Sequence, residues 1–456
     1  MRMPRSHAEK NGERLNIAVI GSGISGLSAA WLLSKRHEVT VYEAASRLGG
    51  HSHTVDVDAG GRSIAVDTGF IVYNEPCYPN LAALFAELGV PTAATDMSFA
   101  VSLDRGRLEY AGKDLAGLFA QPSNLLRPRF WSMISELLRF YRLAPRDLAS
   151  LSDESLEAYL DRRRFGRAFR QDHLYPMAAA IWSTPAAQVG DYPAAAFIRF
   201  CENHGLLKLI GRPVWRTVVG GSREYVRRLS APFAERIVKG APVTTIFRGA
   251  AGVEVLDSRG ERRRFDHVVV ATHADQALKL LDAPTGDESR LLGAFRYSVN
   301  EAVLHGDADL MPQRRAAWAA WNYLSDANGR DRRLSVTYWM NQLQPLGAKP
   351  ELFVTLNPLR EPRTATVYGR YAYEHPLFDA ATGKAQRELW SLQGVQNTWY
   401  CGAHFGAGFH EDGLQAGLAV AEELGGVKRP WRVANDSARI CRTPSAATPV
   451  RREAAE

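Results

Sequence analysis

Three glycines, Gly21, Gly23 and Gly26, stand in a G-x-G-x-x-G loop, and an acid, Glu43, follows it. These residue types at this spacing bind a dinucleotide. The first glycine allows a tight turn. The second lets backbone approach a pyrophosphate, and the third lets a helix pack closely on a strand. The helix N-terminus offers free N–H groups and a positive dipole end to the phosphates. A carboxylate about 20 residues past the loop accepts hydrogen bonds from ribose hydroxyls. Ser22, Ile24 and Ser25 within the loop, and Ala44 beside the acid, are counted with these as cofactor-binding. The glycines leave the cofactor open. A nicotinamide would make a dehydrogenase with a mobile cosubstrate, and a flavin a redox enzyme that keeps its cofactor.

The flanking residues predict the elements that must position this loop. Asn16 to Ile20 is a short apolar run, as in a buried parallel strand. Ile24 to Ser34 predicts the helix and Val39 to Tyr42 a second strand. At 456 residues the chain predicts two domains. With 46% hydrophobic and 23% charged residues its composition is that of a globular protein. No apolar run reaches the length of about 18 residues that a spanning helix needs. Residues 1–14 lack the apolar core of a secretory signal and predict a disordered leader. Residues 429–456 predict a polar tail. Cys77, Cys201, Cys401 and Cys441 are widely spaced, which suggests neither a disulfide framework nor a zinc site and fits a reduced, cytoplasmic compartment. No metal site is predicted. A net charge of +7 permits an anionic partner. No nucleic-acid motif accompanies it, so nucleic acid is not the expectation.

The residues after Glu43 bear on the cofactor. Arg47, Gly49 and Gly50 form an R-x-G-G element, in which an arginine can pair with a phosphate and two glycines let the chain pass tightly over it. β-prone segments follow, Thr54 to Asp58 and Ser63 to Val66, across a Gly60-Gly61 turn. G-x-G-x-x-G, Glu43, "RLGG" and "VDTGFIVYN" together resemble the flavoprotein superfamily of amine oxidases, phytoene desaturases and protoporphyrinogen oxidases. The resemblance extends to "APVTTIFR" (241–248) and to "NTWYCGAHFGAGFHEDGLQAGLAVAEEL" (397–424), and so touches roughly residues 15–428. It implies FAD. It places backbone at Asp67, Thr68 and Gly69 near the isoalloxazine ring, with Phe70 counted beside them as cofactor-binding, Val243 near adenine, and Gly402, Gly413 and Leu414 in the closing cofactor element. A helix starting near Asp412-Gly413 would aim its positive end at a reduced flavin. No cysteine matches a position of covalent attachment, so the FAD is expected to be non-covalent.

The resemblance also implies the fold class. This is α/β, a Rossmann-like FAD-binding domain with a central parallel sheet and an interleaved α+β substrate domain. The FAD-binding segments are expected at 15–88, 217–285 and 391–428, and the substrate domain at 89–216 and 286–390. The first insertion reads as mostly helical and the second as β-alternating. Within the first, residues 125–148 predict a basic amphipathic helix. Phe130, Ile134, Leu137, Leu138 and Tyr141 share one face, accompanied by Arg127, Arg129, Arg139, Arg142 and Arg146. Such a helix can lie on the inner face of an anionic membrane or cover a core.

Candidate chemical groups near the flavin-facing segments are His404, Tyr73 and His410, with Phe70 and Phe405 beside them. A histidine can take a proton near neutral pH. Many amine oxidases of the superfamily carry a lysine on a substrate-domain strand. The counterpart, "YSVNEAVLHG", has Asn300, Glu301 and His305 instead. The segments "YPMAAAIWSTP", "NHGLL", "WRTVVGGSREYV" and "NEAVLHGDADLMP" resemble a bacterial subgroup encoded beside cyclopropane-fatty-acid-synthase-like methyltransferases. That resemblance implies a fatty acyl or lipid substrate, Leu206, Leu207, Trp182 and Trp339 as candidate tunnel residues, and a methyltransferase partner. The expected activity is FAD-dependent oxidation or desaturation of an acyl chain. The alternatives are a soluble amine oxidase making an imine and hydrogen peroxide, or a flavin-binding subunit without its own turnover.

Overall fold

The computed structural model describes residues 14–151, 154–182, 186–208, 211–249, 252–326, 333–347, 349–434 and 436–442. The predicted leader, apart from Arg14, lies outside these residues, as does the chain after 442. The chain forms two compact units. One comprises residues up to Gly50, Leu229–Arg296 and Ala380 onward. The other comprises His51–Arg228 and Tyr297–Asp379. Residues 51–88 and 217–228, expected with the cofactor domain, pack within the second unit.

The first unit is built on a parallel sheet. Strand β1 (Asn16–Ile20) lies between β2 (Glu38–Glu43) and His267–Val270, with Ile237–Lys239 and Thr398–Tyr400 on the edges. β1 and β2 are largely apolar and buried, as parallel strands covered on both faces must be. Helix α1 (Ile24–Leu33) connects them and buries all 10 of its residues. It is apolar all round because the sheet covers one side and the helix His410–Gly425 the other. That helix pair meets through backbone. A Cβ at Gly417 would sit 2.2 Å from Ser25 O, and one at Gly413 would sit 2.7 Å from Ser25 Oγ.

The chain after residue 428 was expected as a polar tail, but its described part docks on this unit. Arg429 pairs with Glu422 at 2.7 Å, Trp431 stacks on Trp31 at 5.9 Å, and Ile440 is buried. A tryptophan, a buried arginine and an isoleucine within a short polar stretch supply the anchors.

The second unit opens with the hairpin β3 (Thr54–Asp58) and β4 (Ser63–Asp67). Its turn is the predicted Gly60-Gly61, with φ of +68° and +85°. Both glycines need the left-handed region that a tight hairpin turn demands. A seven-stranded sheet follows in the order β6 (Val367–Leu377), β5 (Arg296–His305), Phe353–Leu356, Arg333–Trp339, Trp321–Asp326, Phe99–Leu103 and Leu108–Ala111. Helices Pro128–Asp147, Leu156–Arg162, Tyr175–Trp182 and Ala194–Asn203 complete the helical insertion.

The basic helix Pro128–Asp147 differs from its prediction in which face it hides. Phe130, Met133, Phe140 and Ala144 are buried, and Leu138 is exposed. Phe140 meets Tyr159, Phe165 and Phe169, which sets the rotation of the helix. Three of the arginines are engaged inside the protein. Arg129 pairs with Asp172 at 2.6 Å. Arg139 donates to the carbonyls of Arg163 and Arg164, and Arg127 to that of Arg107. No helix among the described residues is long and apolar enough to cross a membrane.

The helix crossing yields a test. Gly417→Ala should lower stability by about 1–3 kcal/mol through overpacking. Gly383→Ala lies in the helix Ala380–Glu388 with nothing within 4 Å of the added carbon. It should be neutral or gain up to about 1 kcal/mol. Thermal melts of the two variants check this, and equal effects would refute the close crossing.

Candidate dinucleotide site and a flanking polar network

Two glycines of the loop are demanded by the protein itself. Gly21 has φ +100°, and a Cβ there would lie 2.9 Å from Ala271 O. At Gly26 it would lie 2.0 Å from Gly21 O. Gly23 is different. Its φ of −67° and ψ of 178° suit any residue, and an added Cβ meets nothing within 4 Å. The fold gives no reason for glycine there. Its bareness keeps clear the space over the N-terminus of α1, which has no side-chain cap and no acid in its first turn. Uncapped N–H groups and a dipole end facing open space suit a pyrophosphate.

Ser22 ties this loop to the two elements that follow. Its N and Oγ donate to Glu43 Oε2 at 3.0 and 2.5 Å, and Gly49 N donates to Ser22 O at 3.0 Å. Ala45 N donates to Glu43 Oε1 at 2.8 Å. A carboxylate oxygen can accept two hydrogen bonds, so Oε1 keeps capacity for a ribose hydroxyl. Gly240 N and Ala241 N donate to the carbonyls of Ala45 and Glu43. They bring the strand that starts at Val243 to the end of β2. Ala44 is exposed beside the acid. Gly49 and Gly50 take φ of +105° and +57°, and a Cβ at Gly50 would sit 3.2 Å from Gly23 Cα. Arg47 was expected on a phosphate. Its Nη1 instead donates to Gly50 O at 2.8 Å and braces its own turn.

The closing element corrects three expectations. His404 is buried against Phe295 and Phe405, and its ring stands 2.5 Å from where a Cβ of Gly402 would be. Gly402 is therefore glycine to admit this ring. Burial pushes His404 down to about 3, and the same cause pushes His410 down to about 3. Both are neutral near pH 7 and weak bases, so neither is placed as the proton acceptor. The final helix begins at His410, and its first turn holds buried Glu411 and Asp412. Asp412 accepts from Phe409 N at 2.8 Å and faces Arg439 at 3.3 Å. Protein carboxylates thus already answer the dipole. Gly413 packs on Ile24 and Ser25, and Leu414 is fully buried.

In the second unit, Thr68–Gly69–Phe70 runs beside His51–His53. Thr68 N donates to His53 O at 2.9 Å and Phe70 N to His51 O at 2.8 Å. A Cβ at Gly69 would lie 2.1 Å from His51 O, so glycine is needed there. Phe70 meets Tyr225 edge-on. Tyr73 was expected as a chemical group, but it is buried between Tyr78 and Phe85 as an aromatic core residue.

Asp67 anchors this strand from below. It is 1% exposed and accepts from Thr54 Oγ1 at 2.6 Å, Ser222 N at 2.9 Å, Ser222 Oγ at 2.8 Å and Gln344 Nε2 at 3.0 Å. Desolvation by burial pushes Asp67 up to about 6 against these donors, which leaves it ionised at neutral pH. Around Thr68 lies a polar network that sequence reasoning passed over. Tyr373 Oη bonds Thr68 Oγ1 at 2.7 Å and His53 Nδ1 at 3.0 Å, and the His51 ring lies 5.2 Å from Tyr373 and 5.5 Å from His375. Two signals were available. These are H-x-H directly after the glycine pair, and Y-x-Y-x-H at strand period on β6, which turns Tyr371, Tyr373 and His375 to one face.

A parallel sheet whose loop keeps one unforced glycine over an uncapped helix belongs to the dinucleotide-binding α/β proteins. The family model for flavin containing amine oxidoreductases matches residues 24–303, more than half of the chain. The chain belongs to that family. A protein of Mycobacterium tuberculosis named as a flavin-containing monoamine oxidase is 26% identical over 291 residues, 61% of each chain. The match thus spans about three-fifths of that relative. The structure is similar to that of putrescine oxidase (TM-score 0.64, 16% identity, 90% of this chain and 99% of that one). It is also similar to a fatty acid isomerase from P. acnes (TM-score 0.63, 15% identity, 90% and 97%). At these identities the likeness is one of fold.

Two measurements follow. Gly23→Val should leave the melting of the flavin-free protein within about 1 kcal/mol of the parent, because β-branching is a small penalty at a cap. Flavin retained through gel filtration should nevertheless fall sharply. Unchanged retention would remove the loop from the site. Asp67→Asn tests the buried acid. Because the folded pKa is raised, the proton-linked contribution is fully present below about 3.8 and is lost as pH rises through about 6. The stability of the parent relative to the variant should therefore fall by at most about 1.4 kcal/mol per pH unit between those values. Urea titrations at several pH values measure that slope.

Proposed function

We propose that the protein holds FAD without a covalent link and oxidises an acyl-lipid substrate drawn from an anionic membrane surface. When bound, the flavin accepts a hydride, or two electrons and a proton, from the substrate. The unforced Gly23, the uncapped α1 and Glu43 support a dinucleotide form of the cofactor. Burial pushes the thiols of Cys201 and Cys401 up, which makes both poor nucleophiles and supports non-covalent binding.

The observation that carries the substrate class is an apolar corner of the second unit. Leu126 is 88% exposed, Leu115 74%, Leu125 49% and Trp131 46%. Trp131 Nε1 donates to Leu125 O at 2.9 Å and its ring meets Phe119 at 5.9 Å, so these residues form one surface. Exposed large apolar residues grouped in this way mark an interaction site. Arg142 and Arg146, exposed on the same helix, supply positive charge. Membrane contact is thus assigned to the corner rather than to the arginines engaged inside the protein. The name of the M. tuberculosis relative favours a second reading, amine oxidation. The absence of a lysine from β5 stands against it.

Anaerobic mixing of the yellow protein with phospholipid extract should bleach the flavin, and an amine panel should not. Bleaching by an amine, with hydrogen peroxide formed on re-aeration, would establish the second reading instead. Leu126→Ser with Trp131→Ser should weaken sedimentation with anionic vesicles by at least about tenfold and leave the flavin spectrum unchanged. Undiminished sedimentation would remove the membrane contact.

A further inference from the structure

The final helix, His410–Gly425, begins with two acids cut off from water. Glu411 and Asp412 are both 0% exposed, and buried charges of this kind need partners. One residue near the end of the described chain serves both. Arg439 Nη1 donates to Asp412 Oδ1 at 3.3 Å. Arg439 N donates to Gln415 Oε1 at 3.1 Å, which turns Gln415 Nε2 to donate to Glu411 Oε1 at 3.0 Å. The segment that carries Arg439 is itself anchored on the same unit by the Arg429–Glu422 pair and by buried Ile440. A cation beside a helix N-terminus opposes the dipole, so the helix alone gives no reason for an arginine here. The charge of Asp412 gives one. Asp412 also stands one residue from the contact with the dinucleotide loop. A Cβ at Gly413 would lie 2.7 Å from Ser25 Oγ and 3.0 Å from Ile24 Cγ2, and these residues open α1. Without its arginine, an ionised Asp412 would set a buried and poorly screened negative charge beside the uncapped N-terminus that suits a pyrophosphate.

We propose that Arg439 is a positioning residue for the cofactor, an inference that rests on the dinucleotide reading of the loop. It cancels the charge of Asp412 and holds the first turn of the final helix against Ile24 and Ser25, so that an anionic pyrophosphate is accepted at α1. The described residues after 428 thereby act as a strap that completes the cofactor site from outside its motifs. Arg439 works through Asp412 and does not itself touch the ligand.

Calorimetric titration of the flavin-stripped full chain with FAD and with ADP tests this, since ADP carries the pyrophosphate and no flavin. Arg439→Gln should weaken both ligands by about tenfold at low salt, and the loss should shrink as ionic strength rises. Arg439→Lys keeps the charge and should stay within about threefold of the parent. Arg439→Gln combined with Asp412→Asn restores the parent's balance of charge. It should recover binding of both ligands although the ion pair is gone. Asp412→Asn alone leaves the arginine's charge uncancelled and should bind ADP at least about threefold more tightly than the parent. A strap that only braces the fold would leave the double variant as weak as Arg439→Gln, and that result overturns the proposal. Parent-like binding by Arg439→Gln overturns it as well. Where Arg439→Gln does not fold, Asp412→Asn decides alone: tighter binding of ADP supports the proposal, and equal or weaker binding overturns it. A parent that binds neither FAD nor ADP refutes the dinucleotide reading itself, and this role of Arg439 with it.

Discussion

The first unit depends on close approaches at glycine, where α1 crosses the helix His410–Gly425 and where it leaves its own loop. Gly417 and Gly413 lie on Ser25, and Gly26 lies on Gly21. Nothing larger than hydrogen fits at these points, so the two helices are fixed in depth and in rotation. The N-terminus of α1 is the part of that pair that remains uncapped, because Asp412 and Phe409 close the other. Where the loop glycines sit, and where a dinucleotide can sit, follows from this crossing. Ser22 then carries the constraint outward to Glu43 and to the R-x-G-G turn.

The second unit has its own fixed point in Asp67. Four donors from β3, from the segment at Ser222 and from Gln344 converge on a carboxylate that has almost no contact with water. Burying an ionised acid is tolerable only when it is bonded in this way. The strand that leaves Asp67 is Thr68–Gly69–Phe70, and its register against His51–His53 is set at both ends. The polar wall around Tyr373 and His375 depends on that register, since a shift of one residue would turn Thr68 away from Tyr373.

Proton handling follows from these placements. The histidines that stand out in the closing motif are desolvated into neutral, weakly basic groups. In the second unit, burial likewise pushes His173 and His305 down to about 4, while His53 and His375 are hydrogen-bonded to Tyr373 and Asn300. The apolar corner at Leu115, Leu125, Leu126 and Trp131 comes from a turn and a helix start rather than from an amphipathic stripe.

The sequence by itself determined the strand–glycine loop–helix at Asn16–Leu33, the glycine turn at Gly60-Gly61 and the family, because these depend on local backbone geometry and on short spacings. It also located the helix at Pro128–Asp147, since period and length survive any packing. It could not determine the helix's buried face, because Phe140 finds Tyr159, Phe165 and Phe169 only after the chain has folded. The roles of His404, His410 and Tyr73 were equally out of reach, because a side chain's proton affinity and exposure depend on neighbours far away in sequence. Tertiary structure alone brought Asn357 to Asn300 across 57 residues and His375 to Asn300 across 75. Only such long-range contacts decide which nitrogen of a histidine carries the proton, because hydrogen-bond direction depends on what stands opposite and not on what stands adjacent in the chain.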